Sequence, residues 1–142
     1  MPLNRRMLLT TFASVLASNQ LSQAQELVSA LLDPRQARLQ AGPTGEHRVY
    51  FEGSTEGLAS LVVGSLELKP GQEPHPPHRH ADEEIIALIE GTGEITMNGK
   101  SSGVGPGGVM YAAPNCVHGI RNTGSTALTF YYFKWIAKRF IA

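Results

Sequence analysis

Between Arg48 and Trp135 the chain falls into short apolar runs, separated by glycine, proline or asparagine–glycine. The runs are Arg48 to Phe51, Leu58 to Lys69, Glu84 to Ile89, Glu94 to Met97, Val109 to Ala112, His118 to Arg121 and Ala127 to Trp135. Most are of strand length rather than helix length. Pro70-Gly71 is a turn dipeptide, and Asn98-Gly99 is the strongest short hairpin signal a sequence can carry. Many short strands with turns between them build a sandwich or a closed barrel. Fifteen glycines and nine prolines in 142 residues agree with that reading, and the length suits a single core. The expectation is an all-β fold with a short N-terminal helical segment. That segment is Glu26 to Leu32, two turns of helix ended by Asp33-Pro34, because the residue before a proline avoids helical geometry. Gly103 to Gly108 reads as loop.

The last run alternates. Tyr131, Phe133 and Trp135 share one parity, and Phe130 and Tyr132 share the other. On a strand these sets face opposite sides. One set lines the interior, and alternation alone does not say which.

Twelve acidic and twelve basic residues cancel. No basic face is present to bind nucleic acid, and no charge run suggests a membrane-surface patch. Cys116 is the one cysteine, so no internal disulfide holds the fold.

The first 24 residues read as an export signal. Arg5-Arg6 precedes the weakly apolar stretch Met7 to Ala17, and Ser22-Gln23-Ala24 supplies small residues for cleavage. The arginine pair followed by Met7-Leu8-Leu9 is similar to a bacterial twin-arginine signal. The stretch is too short to anchor in a bilayer, which needs about 20 apolar residues. Cleavage is expected after Ala24, with a periplasmic or secreted product. The division is then 1–24 export signal, 25–47 N-terminal extension and 48–138 barrel domain.

Chemistry concentrates in His75-Pro76-Pro77-His78-Arg79-His80, with Glu83 and Glu84 just after it. The prolines favour extended backbone. Residues two apart then point the same way, so His78 and His80 aim at one point and Glu84 follows them. Two imidazoles and a carboxylate on one face suit a borderline transition metal. A Pro/His-rich surface loop is the alternative. Downstream, Gly108-x5-Pro114 and His118-x3-Asn122 supply another histidine at the head of another strand.

Gly71-x6-His78-x-His80-x3-Glu84-x6-Gly91 resembles the first motif of the cupin family, with one extra residue before the first histidine. Gly108-x5-Pro114 with His118-x3-Asn122 resembles the second motif. The likeness covers Leu58 to Trp135. It departs at Pro114-Asn115-Cys116-Val117-His118, one residue short and with Cys116 where the family has glycine. The resemblance implies a jelly-roll barrel holding one metal through His78, His80, Glu84 and His118. Glu84 is chosen over Glu83 because it stands three residues after His80 and six before Gly91. His75 reads as a loop histidine at most at the rim, and His47 as a surface residue. Cys116 reads as a small apolar residue, with a thiolate ligand as its alternative.

Three imidazoles and one carboxylate leave two octahedral positions for water, substrate or dioxygen. Iron, manganese, nickel, copper and zinc all accept such ligands, so the cofactor expected is one divalent transition metal. The leading expectation is a dioxygenase-like enzyme acting on a small organic molecule, as in quercetin dioxygenase-type cupins. Glu84 is its only candidate acid–base group. The alternatives are a non-catalytic binding protein for metal or small ligand, and a metal-dependent isomerase or lyase. By the same analogy a homodimer is expected, through Arg48 to Phe51 or the aromatic last strand.

Overall fold

The computed structural model describes residues 25–139. Its strands are β1 (Arg38–Gly42), β2 (Gly45–Gly53), β3 (Leu58–Leu68), β4 (Glu83–Glu90), β5 (Gly93–Met97), β6 (Lys100–Val104), β7 (Val109–Ala112), β8 (His118–Asn122) and β9 (Leu128–Ala137). They form a six-stranded sheet, β1-β2-β3-β9-β4-β7, and a three-stranded sheet, β6-β5-β8. All strand pairs are antiparallel. The export-signal reading of residues 1–24 lies outside the described residues.

Alternation sets the inner faces. Along β4, Glu84, Ile86 and Leu88 are buried while Glu83, Ile85 and Ala87 are not. Along β9 the inner row is Leu128, Phe130 and Tyr132. These side chains meet Leu68, Met110, Ile95 and Ile120, so the core draws on both sheets. Lys134 continues the inner row of β9 and faces Glu84 in register across β4. The interior therefore changes from hydrocarbon to polar along a single pair of strands.

The turns follow their sequences. Pro70 and Gly71 occupy the centre of a turn closed by Gln72 N–H donating to Lys69 C=O at 3.1 Å, and Gly71 has φ 77°. A positive φ at the third position defines a type II turn and favours glycine. Asn98 and Gly99 have φ 48° and 79° between the paired residues Met97 and Lys100. That is the two-residue hairpin with both central φ positive.

One expectation fails. Glu26 to Leu32 is not helical; among the described residues there is no helix. Glu26 instead bridges Ser54 in parallel, with Leu27 N–H donating to Ser54 C=O at 2.8 Å and Ser54 N–H to Gln25 C=O at 3.0 Å. The stretch exchanges backbone hydrogen bonds with Ser54, just past the end of β2. Val28 and Leu31 stay exposed, so no apolar face is buried to sustain a helix.

Candidate metal centre

The segment before β4 is placed by backbone. His78 and His118 form an isolated antiparallel bridge, which brings the proline-rich segment alongside the head of β8. The shortened turn ahead of His118 still closes. Asn115, φ 64°, takes the left-handed conformation, a position asparagine tolerates better than most residues. Asn115 N–H donates to His80 C=O at 2.7 Å and Cys116 N–H to Ala113 C=O at 3.0 Å.

His78, His80 and His118 converge, with one ring nitrogen of each lying within 4.8 Å of the others. The three rings stand edge to face, with interplanar angles of 85°, 74° and 87°. Glu84, buried at the head of β4, reaches into the same point. Its Oε2 lies 2.9 Å from His80 Nε2 and 2.9 Å from His118 Nε2. Two donor atoms at right angles, each about 2.1 Å from a metal, stand about 3.0 Å apart, and these separations match.

The other ring nitrogens are also engaged. His118 Nδ1 is 2.8 Å from Cys116 C=O and His80 Nδ1 is 3.2 Å from Asp82 C=O. Each carbonyl accepts the Nδ1 proton, which leaves the Nε2 lone pair directed at the Glu84 carboxylate. A neutral imidazole cannot present a lone pair to a carboxylate without repulsion. The arrangement needs positive charge between them, either a second proton on each ring or a cation. The electrostatics agree. The hydrogen bond to Glu84 holds His118 above its usual pKa against burial. Burial alone would raise Glu84, but the hydrogen bonds from His118 and His80 outweigh it and hold the carboxyl below its usual range. Burial, followed by the neighbouring histidines, lowers His78.

The cluster forms one end of a cavity of about 280 Å³. Leu66, Ile86, Ile120 and Phe130 give it apolar walls, and His47, Tyr132 and Lys134 add polar groups. Tyr132 Oη lies 2.7 Å from His47 Nε2. Burial, then Glu84 and Glu52, pushes the Tyr132 hydroxyl up to about 12. Burial, then Arg38 and Lys134, lowers His47. Gly64 on β3 makes room for the pair, since a Cβ there would stand 2.5 Å from Tyr132 Oη.

Residues 64–134 match the model of the cupin domain family. The chain belongs to the cupin family. A search of characterised proteins finds the dimethylsulfoniopropionate lyase DddW of Ruegeria pomeroyi, 30% identical over 101 residues. The match covers 67% of this cupin and 65% of that lyase. Among solved structures, an RmlC-like cupin from Shewanella frigidimarina aligns with a TM-score of 0.64 at 15% identity, covering 82% of this chain and 96% of that one. A predicted oxalate decarboxylase from Thermotoga maritima aligns with a TM-score of 0.61 at 19% identity, covering 75% and 99%. At these identities the likeness is one of fold, and it is the jelly-roll barrel.

The cupin thus gathers all four of the residues singled out in its sequence. His75 sits exposed at the rim, stacked on His78 with centroids 3.7 Å apart. Glu83 points away from the cluster and accepts from Tyr111 O–H at 2.7 Å. Cys116 stands apart from the histidine cluster, its sulfur 3.7 Å from Asn98 Oδ1. His47 is a correction, because it is a cavity residue rather than a surface one. It pairs with Leu66 and not with any motif residue, so only the neighbouring strand β3 places it near Tyr132. Lys134 drew no attention in the sequence, yet its parity with Phe130 and Tyr132 was the available signal.

Proposed function

We propose that this cupin is a metal-dependent enzyme acting on a small organic substrate, with His78, His80, Glu84 and His118 as its metal ligands. One observation carries the reading: the Nε2 atoms of His80 and His118 converge on a single carboxylate oxygen while both Nδ1 atoms face carbonyls. One divalent ion, whether iron, manganese, nickel, copper or zinc, satisfies all of these donors at once. When bound, such an ion acts as a Lewis acid on a substrate oxygen.

Within this reading a lyase-type reaction leads. The characterised relative is named as a lyase, and the cavity holds groups able to move a proton. Tyr132, fixed against His47 at 2.7 Å, joins Glu84 as a candidate acid–base group. The dioxygenase-like expectation retains the support of the ligand set, which also serves redox metals.

The test is incubation of metal-loaded protein with a panel of small oxygenated organic compounds, dimethylsulfoniopropionate included, with and without dioxygen. Products formed without oxygen are expected. Turnover only with oxygen would favour the dioxygenase. One equivalent of metal and no turnover across the panel would favour a binding protein.

Export through residues 1–24 belongs to the same proposal, and intact mass of periplasmic protein tests it. A full-length mass there would count against cleavage. So does a homodimer through the outward face of β7 and β9, where Val109, Tyr111 and Phe133 are exposed. Sedimentation tests the dimer.

A further inference from the structure

The polar groups of the cavity are unequally charged. Glu84 is the one carboxylate among its lining residues, and it is committed to His80 and His118. Lys134 is the one permanently cationic side chain in the lining. It lies on the inner row of β9, beside Tyr132 and in register with Glu84. Among the described residues it has no ion pair; the cation–carboxylate pairs outside the histidine cluster are those of Arg35, Arg38, Arg48 and Arg121, and none of these arginines lines the cavity. His47, Tyr132 and the ligand cluster line the same cavity as Lys134.

A lysine ammonium facing a cavity that offers it no free carboxylate is a ready partner for an anionic occupant, since hydrogen bonds between charged groups are the stronger ones. With a divalent cation held by three neutral imidazoles and one carboxylate, the cavity carries an excess of positive charge. Lys134 adds to that excess.

We propose that the cavity takes a small organic anion, its oxygens held at the histidine–Glu84 end and a carboxylate paired with the Lys134 ammonium. This rests on the metal-site reading above and names the substrate class for it. The cavity volume, about 280 Å³, limits that anion to a few carbons beyond its polar groups. Lysine suits the task as a compact point charge on a flexible stem that follows a carboxylate over several positions. Neutral molecules of the same shape leave the ammonium unpaired and bind less well.

The experiment uses zinc-loaded protein and titration calorimetry with malonate, succinate and glutarate, each beside its half-amide. Each pair keeps one carboxylate for the metal end, so the difference reads the second anchor. For at least one chain length the diacid should bind about tenfold or more tightly than the half-amide, as expected of a hydrogen bond to a charged partner. Lys134→Met should keep its zinc and lose that preference, and Lys134→Arg should recover part of it. An unchanged preference in Lys134→Met, or no preference in the wild type at any length, would overturn the proposal. Failure of the wild type to hold zinc would instead overturn the metal-site reading, which the zinc measurement reports separately.

Discussion

His78 and His118 exchange two backbone hydrogen bonds, His78 N–H to His118 C=O and His118 N–H to His78 C=O, each 2.9 Å long. Two ligands that are far apart in sequence are therefore held together by peptide groups, independently of their imidazoles. The histidine side chains can be removed without cutting the bridge. His118→Ala should fold, shown by an unchanged far-ultraviolet spectrum, and lose metal. Losing an outer hydrogen-bond partner of a ligand already weakens metal binding by about 10- to 100-fold, and removal of the ligand itself should exceed that. Elemental analysis after dialysis checks it, with the His78→Ala, His80→Ala double variant expected to behave alike.

Glu84→Gln keeps the shape of the carboxylate and removes its charge. Metal affinity should fall by at least about tenfold, since an ionised ligand becomes a neutral one. Competition with a chromogenic chelator measures it. Equal affinity in the variant would remove Glu84 from the ligand set.

Gly64→Ala places a methyl 2.5 Å from Tyr132 Oη and 2.6 Å from Arg48 C=O. Backbone cannot yield easily, so the substitution should cost about 1–3 kcal/mol, as overpacking does. Gly57→Ala is the control, because an added Cβ there meets nothing within 4 Å. Its effect should stay within about 0.5 kcal/mol. Urea unfolding of both variants gives the comparison.

Tyr132 should ionise near pH 12. The native state then keeps a proton that the unfolded chain releases near its ordinary value of about 10. Between those values the folded protein binds more protons than the unfolded one, so this residue's contribution to stability is constant below about pH 10 and is lost as pH rises toward 12. The tyrosinate absorbance of the wild type minus that of Tyr132→Phe checks the midpoint. A difference curve centred near pH 10 would refute it.

Asn122 is wholly buried. Its Nδ2 donates to Leu68 C=O at 2.9 Å and Thr126 C=O at 2.8 Å, while Oδ1 accepts from Gly124 N–H at 2.9 Å. Asn122→Ala removes three buried hydrogen bonds to backbone groups and should cost about 3 kcal/mol. Asn122→Asp should be worse, because it aims buried negative charge at two carbonyls. Thermal melts of both variants order the costs.

What could be read from the sequence was whatever burial or turn chemistry stamped on it. β4 and β9 alternate because one face of each meets the core, and Asn98-Gly99 announces its hairpin through two positive φ values. β1 and β6 left no such mark. All five residues of β1 are exposed, and β6 runs Lys-Ser-Ser-Gly-Val with only the valine half-buried. Their pairing rests on backbone and on exposed polar contacts, Arg38 with Glu52 and Thr96 with Ser101. The four converging side chains were legible because the motif fixes their spacing. Tyr132 and Lys134 share a parity on β9, but alternation did not mark that parity as the inner one, and His47 joins them only because β2 and β9 both flank β3. The N-terminal segment misled for a related reason: Leu27, Val28, Leu31 and Leu32 have helical spacing, but the end of β2 offered its backbone first.

β1 adds nothing to the hydrocarbon interior, yet it decides what the six-stranded sheet shows to other molecules at that border. Without it the outermost strand would be β2, nine residues long and carrying the buried Val49. A long regular edge is a template on which a foreign strand can grow. The five-residue β1, whose Arg38 is tied to Glu52 at 2.7 Å, puts a short and fully hydrated margin there instead. Trimming the chain to begin at β2 would be expected to leave the cavity intact and make the protein stick to itself.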